Sequence, residues 1–374
     1  MATQLPIVVI GGGTAGCTVV STLAALTSQP IVLIEPGLPS IHDDESAFFS
    51  VLSDEALSRE VQTTLVDGGD DKPYVQAQVL GGGSAINGLL LTGEEPAFLA
   101  GLTRMATEAD CGQVGTALLA ENGRFSRLWW NGGRWNPGRA VQHLVDEGRV
   151  TVITDSVTYL EHAQRVITVA HTTNEAIEGS VFVMCAGALT TPALLLHSSL
   201  ERAVSGIGDG LQNHPTITFT LQLKKSVSQR FDATVVRESR SSSDAKLLTI
   251  AYERTNADDA TTGLLSISLM DPESRGGVWR SHTAMQHDFN MLATIRDRVA
   301  MREAVRELIS IAMGASFSAI SQQVLVDSDG KVRGIGNLYI ADSSILHSVP
   351  PCSPAGPVVV EAARIARTLG ETLT

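Results

Sequence analysis

A glycine-rich turn set between two β-branched runs governs what the start of this chain can become. Ile7-Val8-Val9-Ile10 is a short apolar run of the kind buried on both faces of a parallel sheet. Gly11-Gly12-Gly13-Thr14-Ala15-Gly16 follows and meets the spacing GxGxxG at Gly11, Gly13 and Gly16. Cys17 to Leu26 reads as a helix and Ile31-Val32-Leu33-Ile34 as a second strand. Glu35 ends that strand, about 20 residues beyond the glycines. Each part has a physical reason. Glycine permits a tight turn and the close approach of a pyrophosphate, while the helix N-terminus offers N–H groups and a positive dipole end. A carboxylate at the second strand accepts hydrogen bonds from ribose hydroxyls. GxGxxG alone also occurs in ordinary turns, but strand, turn, helix, strand and acid in that order point to a dinucleotide. Glu35 is followed by Pro36-Gly37 with no adjacent Arg or Lys, which argues against the phosphate of NADP and leaves FAD and NAD.

Composition narrows the function classes. The net charge of −13 and the 5% aromatic content argue against binding to nucleic acid, either along a phosphate backbone or by base stacking. Four cysteines in 374 residues, with no CxxC pair, suggest neither a disulfide framework nor a zinc site. No basic segment precedes Ile7, and no apolar run reaches the roughly 18 residues that span a bilayer. These features lead us to expect a soluble, cytoplasmic protein.

Further motifs lie toward the middle and the C-terminal end. Leu80-Gly81-Gly82-Gly83-Ser84-Ala85-Ile86-Asn87-Gly88 is a second glycine cluster, which read alone is as compatible with a surface turn as with a binding loop. Val181 to Ala188 reads as a buried strand running into small residues, and Thr191-Pro192-Ala193 as a helix start with proline in its first turn. Gly206 to Pro215 reads as a loop. Asn337 to Ser344 reads as a strand entering a polar turn, and a proline-rich loop, Val349 to Pro357, leads to a helix from Val358 to Leu369. Between them, Thr216 to Ile320 carries strand-like alternation at Ile217 to Leu223 and an amphipathic helical pattern at Asp297 to Met313.

Taken in order, these motifs resemble the glucose–methanol–choline (GMC) family of flavin-dependent oxidoreductases. The matching pieces are the Gly11–Gly16 turn with Glu35, Val79 to Gly88, Cys185-Ala186-Gly187-Ala188 with Thr191 to Leu195, Gly208 to Pro215, and Gly336 to Leu346. The resemblance implies an α/β fold: a Rossmann-like FAD-binding domain with a reduced antiparallel-sheet substrate domain. It divides the chain into FAD-binding segments 1–95, 135–215 and 321–374, an insertion 96–134 on the substrate side, and a substrate domain 216–320. It also assigns roles. Gly11, Gly13 and Gly16, with Thr14 and Ala15 between them, and Glu35 would hold the ADP half of FAD. Gly82, Gly83, Ser84 and Asn87 would line the pyrophosphate and isoalloxazine. Val157, placed in a strand from Val150 to Val157, would meet the adenine through its backbone. Asp342 would sit near the ribityl–pyrophosphate, and Pro357 and Val358 near the pyrimidine end of the flavin.

The implied reaction is oxidation of a small-molecule alcohol by hydride transfer to flavin N5, with the electron acceptor left open. The family's paired catalytic groups have no counterpart here. Met313 to Ile320 contains no histidine where the first is expected, and Ala355 stands about where the second is. His347, five residues after Asp342, is the candidate substitute base. Cys352, flanked by prolines, reads as an apolar filler, and His214 as a loop residue. Trp129, Trp130 and Trp135 form either a cover over the site or a local packing knot. The missing pair keeps two alternatives open: lyase or decarboxylase chemistry on the flavin, and an FAD-binding protein without oxidase activity.

Overall fold

The computed structural model describes residues 4–39, 56–66, 68–92, 101–130, 132–164, 166–226, 233–253, 261–282 and 284–324. The chain forms two compact units. One comprises Met1–Arg104, Leu128–Asn213 and Pro272–Ile295; the other comprises Met105–Arg127, His214–Asp271 and the chain from Arg296 onward.

In the first unit the strands Val150–Ile153, Ile31–Ile34, Ile7–Ile10 and Val181–Met184 lie side by side in that order, every neighbour pair parallel. The Ile7–Ile10 strand is buried along its whole length, because both faces of the sheet are covered. Side chains alternate between faces. Val9, Ile31 and Leu33 pack with Val20 and Ala24 of the helix Thr14–Leu26 and with Val141 of the helix Gly138–Asp146. Val8, Ile10 and Ile34 pack on the other side with Leu160, Ala170 and Leu194. Those residues come from an antiparallel three-stranded sheet, Val157–Ala163, Val166–Thr172 and Ala176–Glu178, and from the helix Gly187–His197.

Two details differ from the sequence reading. The expected strand from Val150 to Val157 is two strands, ending at Ile153 and restarting at Val157. Asp155 makes the break. Its Oδ1 accepts the Ser156 N–H and its Oδ2 accepts both the backbone and side-chain N–H groups of Asn174. With Thr172 also bonded to it, the carboxyl is held well below the usual carboxylate range. Val157 is therefore the first residue of the antiparallel sheet, opposite Thr172. The helix expected to start near Thr191 begins at Gly187, so Pro192 lies inside it and forfeits the N–H bond to the Ala188 carbonyl.

The first unit also holds a five-stranded sheet in the order Asp209–Leu211, Gly276–Arg280, Met285–Asp288, Ser58–Thr64, Asp71–Ala77. Asp209–Leu211 falls within the segment expected to be a loop. Leu189, Leu211, Val278 and Phe289 bury together, with Tyr74 against Phe289 at a ring-centroid distance of 5.2 Å.

The second unit is organised on a six-stranded antiparallel sheet, ordered Ser321–Val324, Thr216–Leu223, Thr262–Leu269, Lys246–Tyr252, Val235–Arg240, Arg124–Phe125. The amphipathic pattern near Asp297 is the helix Ile295–Ala312, whose Glu307 bonds Arg237 and Ser239 on the sheet. Glu253 is buried and accepts the N–H groups of Gly112, Val114 and Gly115, clasping the start of the helix Gln113–Ala120. Among the described residues no helix is long and apolar enough to cross a membrane.

Candidate dinucleotide site

The strand Ile7–Ile10 of the parallel sheet ends in one glycine turn, the strand Val79–Leu80, paired with Leu38–Pro39 in a separate two-stranded sheet, ends in a second, and the two turns touch. Gly11 takes φ +100° and its N–H donates to Ile34 O at 2.9 Å, which ties the turn to the neighbouring strand. A Cβ on Gly11 would stand 2.5 Å from Cys185 O, so only glycine fits. At Gly16 a Cβ would lie 1.8 Å from Gly11 O, which is why the helix Thr14–Leu26 can start against the strand. Gly81 N–H donates to Gly12 O at 2.8 Å and joins the second turn to the first. A Cβ on Gly82 would come within 2.8 Å of Gly13 Cα. Thr14 Oγ1 and Ser84 Oγ, 2.6 Å apart, complete the seam. The second cluster is thus a partner of the first rather than a free surface turn.

Around this seam the backbone leaves room. A Cβ on Gly13, Gly83 or Gly187 would meet nothing within 4 Å. Gly83, Thr14 and Ala15 are exposed, and the helix Thr14–Leu26 has no side-chain cap and no acidic residue in its first turn. The glycine side of the seam is therefore a cradle with unclaimed N–H groups and a positive dipole end, which suits a phosphate.

Glu35 lies where the sequence places it and does more than await a ribose. It is 7% exposed; its Oε2 accepts the Gly12 N–H at 2.6 Å and its Oε1 accepts the Gly37 N–H at 2.7 Å. Burial pushes its pKa above the usual carboxylate range, against the opposing pull of those two bonds and of Arg59. Each oxygen retains one acceptor site, so two ribose hydroxyls can still be held. Cys17 donates its thiol to Gly12 O at 3.0 Å, and burial pushes its pKa up to about 12, so it serves packing rather than chemistry.

Two arginines were not legible in the sequence. Arg59, half-buried on Ser58–Thr64, lies within electrostatic reach of Glu35, although no Arg or Lys is adjacent to that carboxylate in the sequence. No local signal marks it, since the long-range bond that holds it is to Thr190, far along the chain. Arg134, 1% exposed, donates through Nη1 to Asn87 O at 2.6 Å and to Asn87 Oδ1 at 3.1 Å. The Asn87 side chain also accepts the Leu89 N–H, so its orientation is fixed. Trp129 and Trp135 stack at 4.6 Å on either side of Arg134 in the chain, which gives the tryptophan cluster a packing role. The only signal was an arginine inside a Trp- and Gly-rich loop.

The structure thus brings Gly11, Gly13, Thr14, Ala15, Gly16, Glu35, Gly82, Gly83 and Ser84 to one seam, with Asn87 at the end of the short helix Gly83–Ile86. Val157 is on the antiparallel sheet, partly buried against the cluster that contains Ile10, Ile34 and Leu160. Asp342, His347, Cys352, Ala355, Pro357 and Val358 lie outside the described residues.

Comparisons agree with this architecture. The family model for GMC oxidoreductases matches residues 144–216, a stretch separate from both glycine turns. Comparison with curated proteins gives no match. Among solved structures, pyridoxine 4-oxidase from Mesorbium loti is similar with a TM-score of 0.71 at 16% identity, covering 98% of this chain and 99% of that one. A formate oxidase is similar with a TM-score of 0.67 at 15% identity, covering 98% of each chain. A fungal aryl-alcohol oxidase follows with a TM-score of 0.64 at 13% identity over the full length of both. The mixed α/β fold of these oxidases is the fold of this chain, and the resemblance read from its motifs holds.

Proposed function

We propose that this chain, built on the GMC oxidoreductase fold, is an FAD-dependent enzyme that oxidises a small-molecule alcohol. The observation that carries the reading is the pair of joined glycine turns beside Glu35, with open space at Gly13, Gly83 and Gly187. In this reading the parallel-sheet unit is the Rossmann-like FAD-binding part, and the six-stranded antiparallel sheet belongs to the reduced substrate side. The match over residues 144–216 and the similar structures, which include an aryl-alcohol oxidase, support it. Free Cys17, Cys111 and Cys185 go with a reducing, cytoplasmic compartment.

The chain's own residues then divide the work. The turn at Gly11 to Gly16 approaches the diphosphate without side chains, and the uncapped helix behind it contributes its dipole. Glu35 accepts from the ribose while its bonds to Gly12 and Gly37 keep the turn in register. Gly82, Gly83 and Ser84 extend the cradle toward the isoalloxazine, and Asn87 is presented by Arg134. Val157 is assigned to the adenine through its backbone, Asp342 to the ribityl–pyrophosphate, and Pro357 and Val358 to the pyrimidine end. A bound flavin supplies a hydride acceptor at N5. His347 is proposed to take the hydroxyl proton of the alcohol, because its loop follows Asp342.

Anaerobic mixing with a panel of alcohols tests the proposal. Bleaching of the flavin band supports alcohol oxidation. Product formed without bleaching, or no response to any alcohol, contradicts it in favour of lyase chemistry or of a binding protein.

A further inference from the structure

The cradle leaves one cation near it unassigned. Arg59 Nη2 donates to Gln76 Oε1 at 2.9 Å and to Thr190 Oγ1, and both acceptors are neutral. Among the described residues no carboxylate forms an ion pair with it. Burial holds its guanidinium below the ordinary arginine range, and Glu35 is the carboxylate that pulls it back. Both oxygens of Glu35 already accept backbone N–H groups. A half-buried guanidinium with only neutral partners is costly, and an anion that binds beside it offsets that cost.

Its position indicates which anion. Thr190 lies in the first turn of the helix Gly187–His197, and the residues just before that helix, Cys185 and Ala186, abut Gly11 of the glycine turn. Gly187 and Gly13 both face open space. Arg59 is thus tied to the helix start that borders the turn and lies within electrostatic reach of Glu35. Its two bonds use Nη2, so Nη1 and Nε remain as donors in the planar geometry that matches phosphate oxygens.

We propose that Arg59 anchors the 5′-diphosphate of the bound dinucleotide, in addition to the glycine turns and Glu35. This assignment rests on the dinucleotide reading above and adds a charged contact to it. It also gives the site a preference for diphosphate esters over the bare nucleoside.

Competition against FAD fluorescence in the full-length chain tests it, with ADP, adenosine and adenosine 2′-monophosphate as probes. Arg59→Gln lowers ADP affinity by about ten- to hundredfold and leaves adenosine affinity unchanged, the loss of one charge-assisted contact. Arg59→Lys keeps the charge without the fork and recovers part of that affinity. Unchanged adenosine binding shows that the variant is folded. Equal loss of ADP and adenosine makes Arg59 a structural residue and overturns the proposal. A loss confined to adenosine 2′-monophosphate moves the anion to the ribose and also overturns it. If the wild type binds FAD and ADP and Arg59→Gln binds ADP equally well, the anchor alone falls. A wild type that binds neither overturns the dinucleotide reading and the anchor with it.

Discussion

Replacing Glu35 by alanine separates a structural latch from a simple ribose contact. The carboxylate occupies two buried amides, Gly12 N–H at 2.6 Å and Gly37 N–H at 2.7 Å. Each buried donor left without a partner costs about 1–3 kcal/mol, so the gross loss is about 2–6 kcal/mol. Two effects reduce it: water enters the vacated space, and the variant no longer carries a desolvated carboxylate. A net loss of about 2–4 kcal/mol remains. For a unit of 150–250 residues each kcal/mol shifts Tm by about 2–4 °C, which gives a fall of about 5–15 °C in the FAD-free protein. The pH dependence has a definite sign. Because burial raises the folded-state pKa of Glu35, the native protein holds that proton more tightly than the unfolded chain does. Its stabilising contribution is complete below the unfolded value, near 4.5, and is lost as pH rises through the folded value. The gap between wild type and Glu35→Ala is therefore widest in acid and narrows toward neutrality. Thermal melts of both proteins without FAD, from pH 4 upward, measure it. An unchanged Tm would refute the latch, and a gap that widens with pH would show that the two N–H bonds outweigh burial.

Further expectations follow from the same geometry. A Cβ at Gly13 meets open space, so Gly13→Val folds normally and loses FAD, whereas Gly16→Ala forces a Cβ to 1.8 Å from Gly11 O and lowers the melting temperature; melts and flavin content distinguish the two. His347→Ala keeps FAD but slows flavin reduction by about 10²–10⁴-fold in stopped flow, and a wild-type rate would remove His347 from the mechanism. Glu253→Ala strips three N–H groups at the start of Gln113–Ala120 of their acceptor. It costs about 2–4 kcal/mol on denaturant unfolding and leaves the bound-flavin spectrum in place.

The parts of the fold that the sequence displayed are those set by local pattern. Ile7 to Ile10 and Ile31 to Ile34 are unbroken apolar runs because both faces of their sheet are covered. The glycine spacing is legible because φ +100° at Gly11 and the close packing at Gly16 exclude every other residue. The break after Ile153 was hidden, since it depends on Asp155 reaching Asn174 in a strand connection further along the chain. The start of the Gly187–His197 helix was misplaced because Pro192 marks a first turn only when nothing upstream already favours the helix. Arg59 lies within electrostatic reach of Glu35 and bonds Thr190 far along the chain, a placement with no local signature. Arg134 meets Asn87 for the same kind of reason.

The central claim is that the joined glycine turns hold FAD. The ultraviolet–visible spectrum of the purified full-length chain, followed by denaturation and analysis of the released chromophore, tests it most directly. A two-band flavin spectrum and release of FAD in about a one-to-one ratio with protein are expected from a single dinucleotide site per chain. A colourless protein that stays colourless after incubation with excess FAD and removal of the unbound excess would contradict it.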